Sequence, residues 1–111
     1  FGDGRGRFPQ SVNHPVPARP TYLLSGDLNQ DGRPDLVVGR EREETVSILF
    51  GNAAGELDPP TSGNMGGTVQ PLVADDLDGD GLTDLVVLRD AHDDIGVLLG
   101  LPKGSFSAPI Y

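Results

Sequence analysis

Cysteine is absent from all 111 residues. That removes disulfides, thiolate-bound zinc and cysteine nucleophiles at once. It does not fix a compartment, because exported domains can also lack cysteine. Aromatic residues make up only 5% of the chain, so the core has to be built mainly of Val, Leu and Ile. Basic residues are few, 8 Lys and Arg against 17 Asp and Glu, and they form no run and no alternation with aromatics. A surface that tracks nucleic-acid phosphates is therefore not expected. No apolar run approaches the roughly 20 residues needed to span a bilayer. There is no signal peptide, and the chain opens at Phe1, so it reads as a processed or truncated piece of a longer protein.

What the chain has in quantity is glycine, 16 residues, and proline, 10. It also repeats. Shifted by 49 residues, the sequence falls on itself without a gap: Phe1-Gly2 meets Phe50-Gly51 and Leu99-Gly100, and Gly6 and Phe8 meet Gly55 and Leu57, then Gly104 and Phe106. "DLVV" at Asp35–Val38 meets "DLVV" at Asp84–Val87. Each period carries short runs rich in Val, Leu and Ile, bounded by Gly, Pro and Asp, which read as strands. The first period predicts strands near Thr21–Asp27, Asp35–Arg40, Thr45–Phe50 and, less regularly, Leu57 to Met65. The second predicts Val69–Asp76, Asp84–Arg89, Ile95–Leu99 and Phe106–Tyr111. No stretch carries a helical period.

Four short strands per repeat of this length is the pattern of a β-propeller blade. The expected fold is all-β: two four-stranded blades and one extra N-terminal strand, an incomplete propeller. Residues 1–20 then hold the outer strand of a preceding blade (Phe8–Val16) and a linker, 21–68 the first blade, and 69–111 the second. Open blade ends invite pairing with more protein. The expected partners are further blades of a parent chain or other copies of this one.

The acidity is concentrated. Of the 17 acidic residues, seven lie in "DLNQDGRPD" (Asp27–Asp35) and "DLDGDGLTD" (Asp76–Asp84). In the second stretch Asp76, Asp78, Asp80 and Asp84 occupy positions 1, 3, 5 and 9, Gly81 is at position 6, and Leu82 at position 7 offers a backbone carbonyl. The first stretch aligns Asp27, Asn29, Asp31, Gly32, the carbonyl of Arg33, and Asp35. Clustered carboxylates repel unless a cation sits among them. The donors are all hard oxygens, which suits calcium better than zinc, copper or magnesium. Two calcium sites are expected, and two divalent ions would bring the net charge from −9 to −5. An EF-hand shares the first half of this pattern but ends in Glu at position 12; here that position is Val38 or Val87. The loop instead leads directly into a strand.

"GDLNQDGRPDLVV" and "DDLDGDGLTDLVV", each followed by a strand ending in "FG" or "LG", resemble FG-GAP/VCBS-type repeats, which build the calcium-binding propellers of integrin α-subunits and of many secreted proteins. The resemblance covers nearly the whole chain. It implies four-stranded blades, calcium held between the first and second strands, an extracellular or secreted location, cell surface included, and a role in adhesion, recognition or scaffolding with a protein or glycan ligand. Leu57 stands where the family favours Phe, and Asn29 replaces one aspartate.

Other features have plainer readings. The "FG" pairs read as packing and turn residues at strand ends. His14 and His92 lack the partners a catalytic site requires, and Asp90, Asp93 and Asp94 have no ligand spacing. "GDGRGR" lacks the Gly-Lys-Ser/Thr ending of a phosphate loop. No Ser–His–Asp set emerges from the spacing, so no catalytic residue is expected and the chain is not read as an enzyme. The first functional expectation is a calcium-stabilised, non-catalytic repeat module. The alternative is a structural protein whose open-ended blades assemble into an oligomer or filament by strand pairing.

Overall fold

The computed structural model describes residues 1–16, 19–40, 43–64, 68–89, 93–108 and 110–111. Short apolar runs punctuated by Gly, Pro and Asp fold as antiparallel strands, and no α-helix occurs among the described residues. No helix there is long and apolar enough to cross a membrane. Strands β1 (Tyr22–Gly26), β2 (Asp35–Gly39), β3 (Thr45–Leu49) and β4 (Thr61–Asn64) form one meander in the order β1-β2-β3-β4. Strands β5 (Val69–Asp75), β6 (Asp84–Arg89) and β7 (Asp94–Leu98) form a second sheet in the order β5-β6-β7. A small ribbon pairs β8 (Gly100–Leu101) with β9 (Ser105–Phe106).

The strands begin and end within a residue or two of the sequence expectation, with three exceptions. Leu57 does not open the fourth strand; it makes an isolated bridge to Gly51, and β4 starts only at Thr61. Met65, the expected end of that strand, and His92 and Asp90 of the following hairpin lie outside the described residues. In the second repeat, the expected strand Phe106–Tyr111 is divided between the β9 ribbon and a bridge from Val97 to Ile110. The N-terminal segment Phe8–Val16 is not a strand at all. A strand completes its backbone hydrogen bonds only on a neighbour, and Phe8–Val16 takes up no ladder with either sheet.

The 49-residue period is visible in the coordinates. The bridge Gly51↔Leu57 recurs as Gly100↔Phe106, and Ile48↔Thr61 as Val97↔Ile110. The turn between the first pair also recurs at the N-terminus. The Asn52 N–H donates to the Glu56 carbonyl, and the Asp3 N–H donates to the Arg7 carbonyl. Gly6, Gly55 and Gly104, at the same point of each turn, all take φ between 73° and 79°, a region glycine enters without steric penalty.

The two sheets share one core. Leu24, Val37 and Ile48 lie in one cross-strand row of the first sheet, and Leu28 and Val46 join them. From the second sheet come Leu85, Val87 and Leu98, all fully buried. With so few aromatics the core is aliphatic, as composition required. Close approach of the sheets depends on small residues in β1 and β2. A Cβ on Gly39 would lie 2.9 Å from the Pro71 ring, and one on Gly26 would lie 3.3 Å from the Ala74 methyl. A polar tie crosses the same contact: the Thr83 hydroxyl donates to the Asp27 carbonyl at 2.7 Å. Thr83→Val keeps the side-chain shape but removes this donor, so it is expected to destabilise the fold by about 1 kcal/mol in urea denaturation.

Candidate functional site

Each acidic stretch forms the loop joining the first strand of a repeat to the second, β1 to β2 and β5 to β6. Position 1 organises the loop from inside. The two oxygens of Asp27 accept from the N–H groups of Asp31 at 3.1 Å and Gly32 at 2.8 Å. Those of Asp76 accept from Gly79 at 2.8 Å and Gly81 at 2.9 Å. Position 5 continues the wrap, with Asp31 accepting from the Arg33 N–H and Asp80 from the Leu82 N–H.

The ninth position behaves differently. Asp35 and Asp84 are the buried acidic residues among those described, 0% and 1% exposed. Each carboxylate accepts one backbone N–H from the start of its loop and one from a glycine two residues past its third strand. Leu28 N–H donates to Asp35 Oδ2 and Gly51 N–H to Oδ1, both at 2.8 Å. Leu77 N–H donates to Asp84 Oδ2 at 2.8 Å and Gly100 N–H to Oδ1 at 2.7 Å. A buried carboxylate is tolerable because charge-assisted hydrogen bonds replace its water.

This clasp gives the "FG" and "LG" glycines a role that a packing-and-turn reading missed. Gly51 and Gly100 supply the second N–H of each clasp, and they have no room for a side chain. A Cβ at Gly51 would collide with the carbonyl oxygen of Pro34, and one at Gly100 with that of Thr83. The sequence signal was the fixed distance of 16 residues between each aspartate and its glycine, present in both repeats.

The loops differ in charge. In the second loop the carboxylates of Asp76, Asp78 and Asp84 converge, with candidate ligand oxygens all within 4.8 Å of one another. The Asp80 N–H bonded to Asp78 works to lower the Asp78 carboxyl. Desolvation and the charges of Asp80 and Asp84 outweigh it and hold that group above the usual carboxylate range. In the first loop the corresponding trio is Asp27, Asn29 and Asp35, with one carboxylate replaced by an amide, and it is not such an acidic group. Asp31 is instead paired with Arg33, whose Nη1 lies 3.1 Å from Oδ2. Desolvation pushes the Asp31 carboxyl up, but the Arg33 N–H and guanidinium together outweigh it and hold the group below the usual range. The first loop thus carries an internal cation, while the second leaves like charges facing one another. Oxygen-only donors around a strongly negative point fit a hard divalent cation such as calcium.

The fourth position shows a further difference. Gln30 and Gly79 both take positive φ, 60° and 80°. The second loop has the residue that enters this region freely, whereas the first holds an L-residue there against steric resistance.

Three outcomes follow from this geometry. Asp35→Ala strands two N–H donors and is expected to cost about 2–5 kcal/mol even in excess chelator. Asp78→Ala leaves chelated stability unchanged or raised, since it removes a repelling charge; urea denaturation of both variants checks the contrast. Gln30→Gly relieves the left-handed strain and is expected to raise stability by up to about 1 kcal/mol, measured the same way.

Comparison with the curated proteins and with the solved structures gave no match. The FG-GAP-like repeat family does match, over residues 27–87. That span opens at the first acidic loop and closes in β6, so it takes in both clasped carboxylates and Gly51, the first of the two clasp glycines. The chain belongs to the FG-GAP-like repeat family.

Proposed function

We propose that this chain is a calcium-stabilised, non-catalytic repeat module that serves adhesion, recognition or scaffolding outside the cell. The observation that carries the calcium reading is the convergence of Asp76, Asp78 and Asp84 with no cationic side chain among the described residues paired to them as Arg33 is to Asp31. In this reading one ion is held by Asp76, Asp78, Asp80, Asp84 and the carbonyl of Leu82. The second is held by Asp27, Asn29, Asp31, Asp35 and the carbonyl of Arg33. Membership of the FG-GAP-like family supports the module role and the extracellular setting, since repeats of this kind are generally structural and typically occur in extracellular proteins.

The carboxylates have structural work to do already, because they order loop backbone and clasp strand ends. Calcium adds neutralisation. It therefore acts on stability, binding the folded loop and not the open chain. The blade division at residues 21–68 and 69–111 belongs to the same proposal, with partners that are other blades or a protein or glycan ligand at the loops.

Calorimetric titration with calcium is expected to resolve a tighter and a weaker event. The tighter one is lost in Asp78→Ala, because the second loop offers four carboxylates and the first three, one of them neutralised by Arg33. The melting temperature is expected to rise with calcium and fall in excess chelator. A melting curve indifferent to both would overturn structural calcium, and loss of the weaker event alone in Asp78→Ala would overturn the charge ordering.

A further inference from the structure

The two acidic loops touch, and they touch between ligand positions. Thr83 is position 8 of the second loop, bracketed by Leu82 and Asp84, both in the proposed ligand set. Its hydroxyl donates across the sheet-to-sheet contact to the carbonyl of Asp27, position 1 of the first loop, at 2.7 Å. The carboxylate of the same Asp27 gathers the N–H groups of Asp31 and Gly32. Thr83 is held from behind as well, since its carbonyl is pressed against Gly100, whose N–H clasps Asp84. A second contact has the same form. Gln30 stands between Asn29 and Asp31, and its amide nitrogen lies 3.5 Å from where a Cβ on Gly81 would sit, between Asp80 and Leu82. The hydroxyl link runs one way only, because position 8 of the first loop is Pro34, which has no donor to give.

We propose that Thr83 couples the two loops, so that calcium in the second raises the affinity of the first. The inference rests on the calcium reading above and adds cooperativity to it. Empty, the second loop sets Asp76, Asp78 and Asp84 against one another, and their repulsion works against the closed loop. The closed loop is the form in which Thr83 reaches Asp27. A site that is competent for only part of the time binds more weakly by that fraction. Neutralising the second loop therefore steadies Asp27 and removes part of that cost from the first. Linkage makes the effect reciprocal. One hydrogen bond of ordinary strength carries it, which corresponds to a factor of about five in affinity.

Charge alone predicts the opposite sign. With its four carboxylates the second loop carries −2 when it holds a divalent ion, and −3 when Asp78→Ala leaves it empty. The more negative neighbour draws a cation more strongly into the first loop. A first loop that binds more weakly beside the empty one therefore reports the hydrogen-bonded link and not the field.

Calorimetric titration with calcium tests this through the first-loop event. Asp78→Ala is expected to leave that event about fivefold weaker than it is in the unaltered chain. In the Thr83→Val background the loss is expected to vanish, so that adding Asp78→Ala leaves the first-loop affinity the same or higher. Thr83→Ser keeps the hydroxyl and is expected to restore the fivefold loss, which separates the donor from a general loss of stability. Circular dichroism checks that each variant is folded. A first-loop affinity unchanged or raised by Asp78→Ala alone overturns the coupling but leaves the calcium reading standing, since the unaltered chain still shows two events. A fivefold loss that persists in Thr83→Val, or that Thr83→Ser fails to restore, overturns the role of the hydroxyl. No calcium binding by the unaltered chain overturns the calcium reading and the coupling with it.

Discussion

Both repeats depend on one buried carboxylate each. Asp35 and Asp84 receive an N–H from the start of the acidic loop and another from the glycine two residues past the third strand. One side chain therefore fixes the entry of the loop and its exit into the second strand, together with the end of the strand alongside. Leaving any of these buried groups unpaired costs of the order of 1–3 kcal/mol, so the aspartate, the loop and the glycine stand or fall together. That linkage explains why an acidic loop and an "FG" or "LG" pair occur at one fixed spacing in each repeat.

The same clasp joins folding to ion chemistry within a single loop. The ninth carboxylate orders backbone and, in the second loop, also belongs to the converging acidic group, whereas positions 1, 3 and 5 lie nearer the surface. In the first repeat, Arg33 and Asn29 soften the repulsion between these charges; in the second, no cationic side chain among the described residues is paired with Asp78 to do so. Two loops of one pattern thus differ in how strongly they call for a cation, through Asn29 and Arg33.

Strand positions were legible because each run is short, aliphatic and bracketed by turn residues. Asp84–Arg89 matches the expectation residue for residue. The repeat places the opening of a strand at Leu57, but the Asn52–Glu56 turn sets it opposite Gly51 and delays β4 to Thr61. Phe8–Val16 was read as a strand from repeat phase alone. Its preceding turn does form, with the same hydrogen bond and the same glycine φ as in the later repeats. Turn formation is a local matter of glycine placement and one hydrogen bond, whereas a strand needs a neighbour.

The amino-acid order alone determined the period, the strand-and-turn alternation, the hard-oxygen character of the loops and the aliphatic core, since each follows from residue type and spacing. Only the tertiary structure decided which carboxylates converge, that the ninth aspartates are buried clasps, and that Gly51 and Gly100 are required by a carbonyl pressed against them. It also decided that equivalent residues such as Val46 and Ile95 have opposite fates, one buried and one exposed. The reason is that burial belongs to a pair of surfaces, so equivalent residues of a repeat are buried only where a second sheet lies against them.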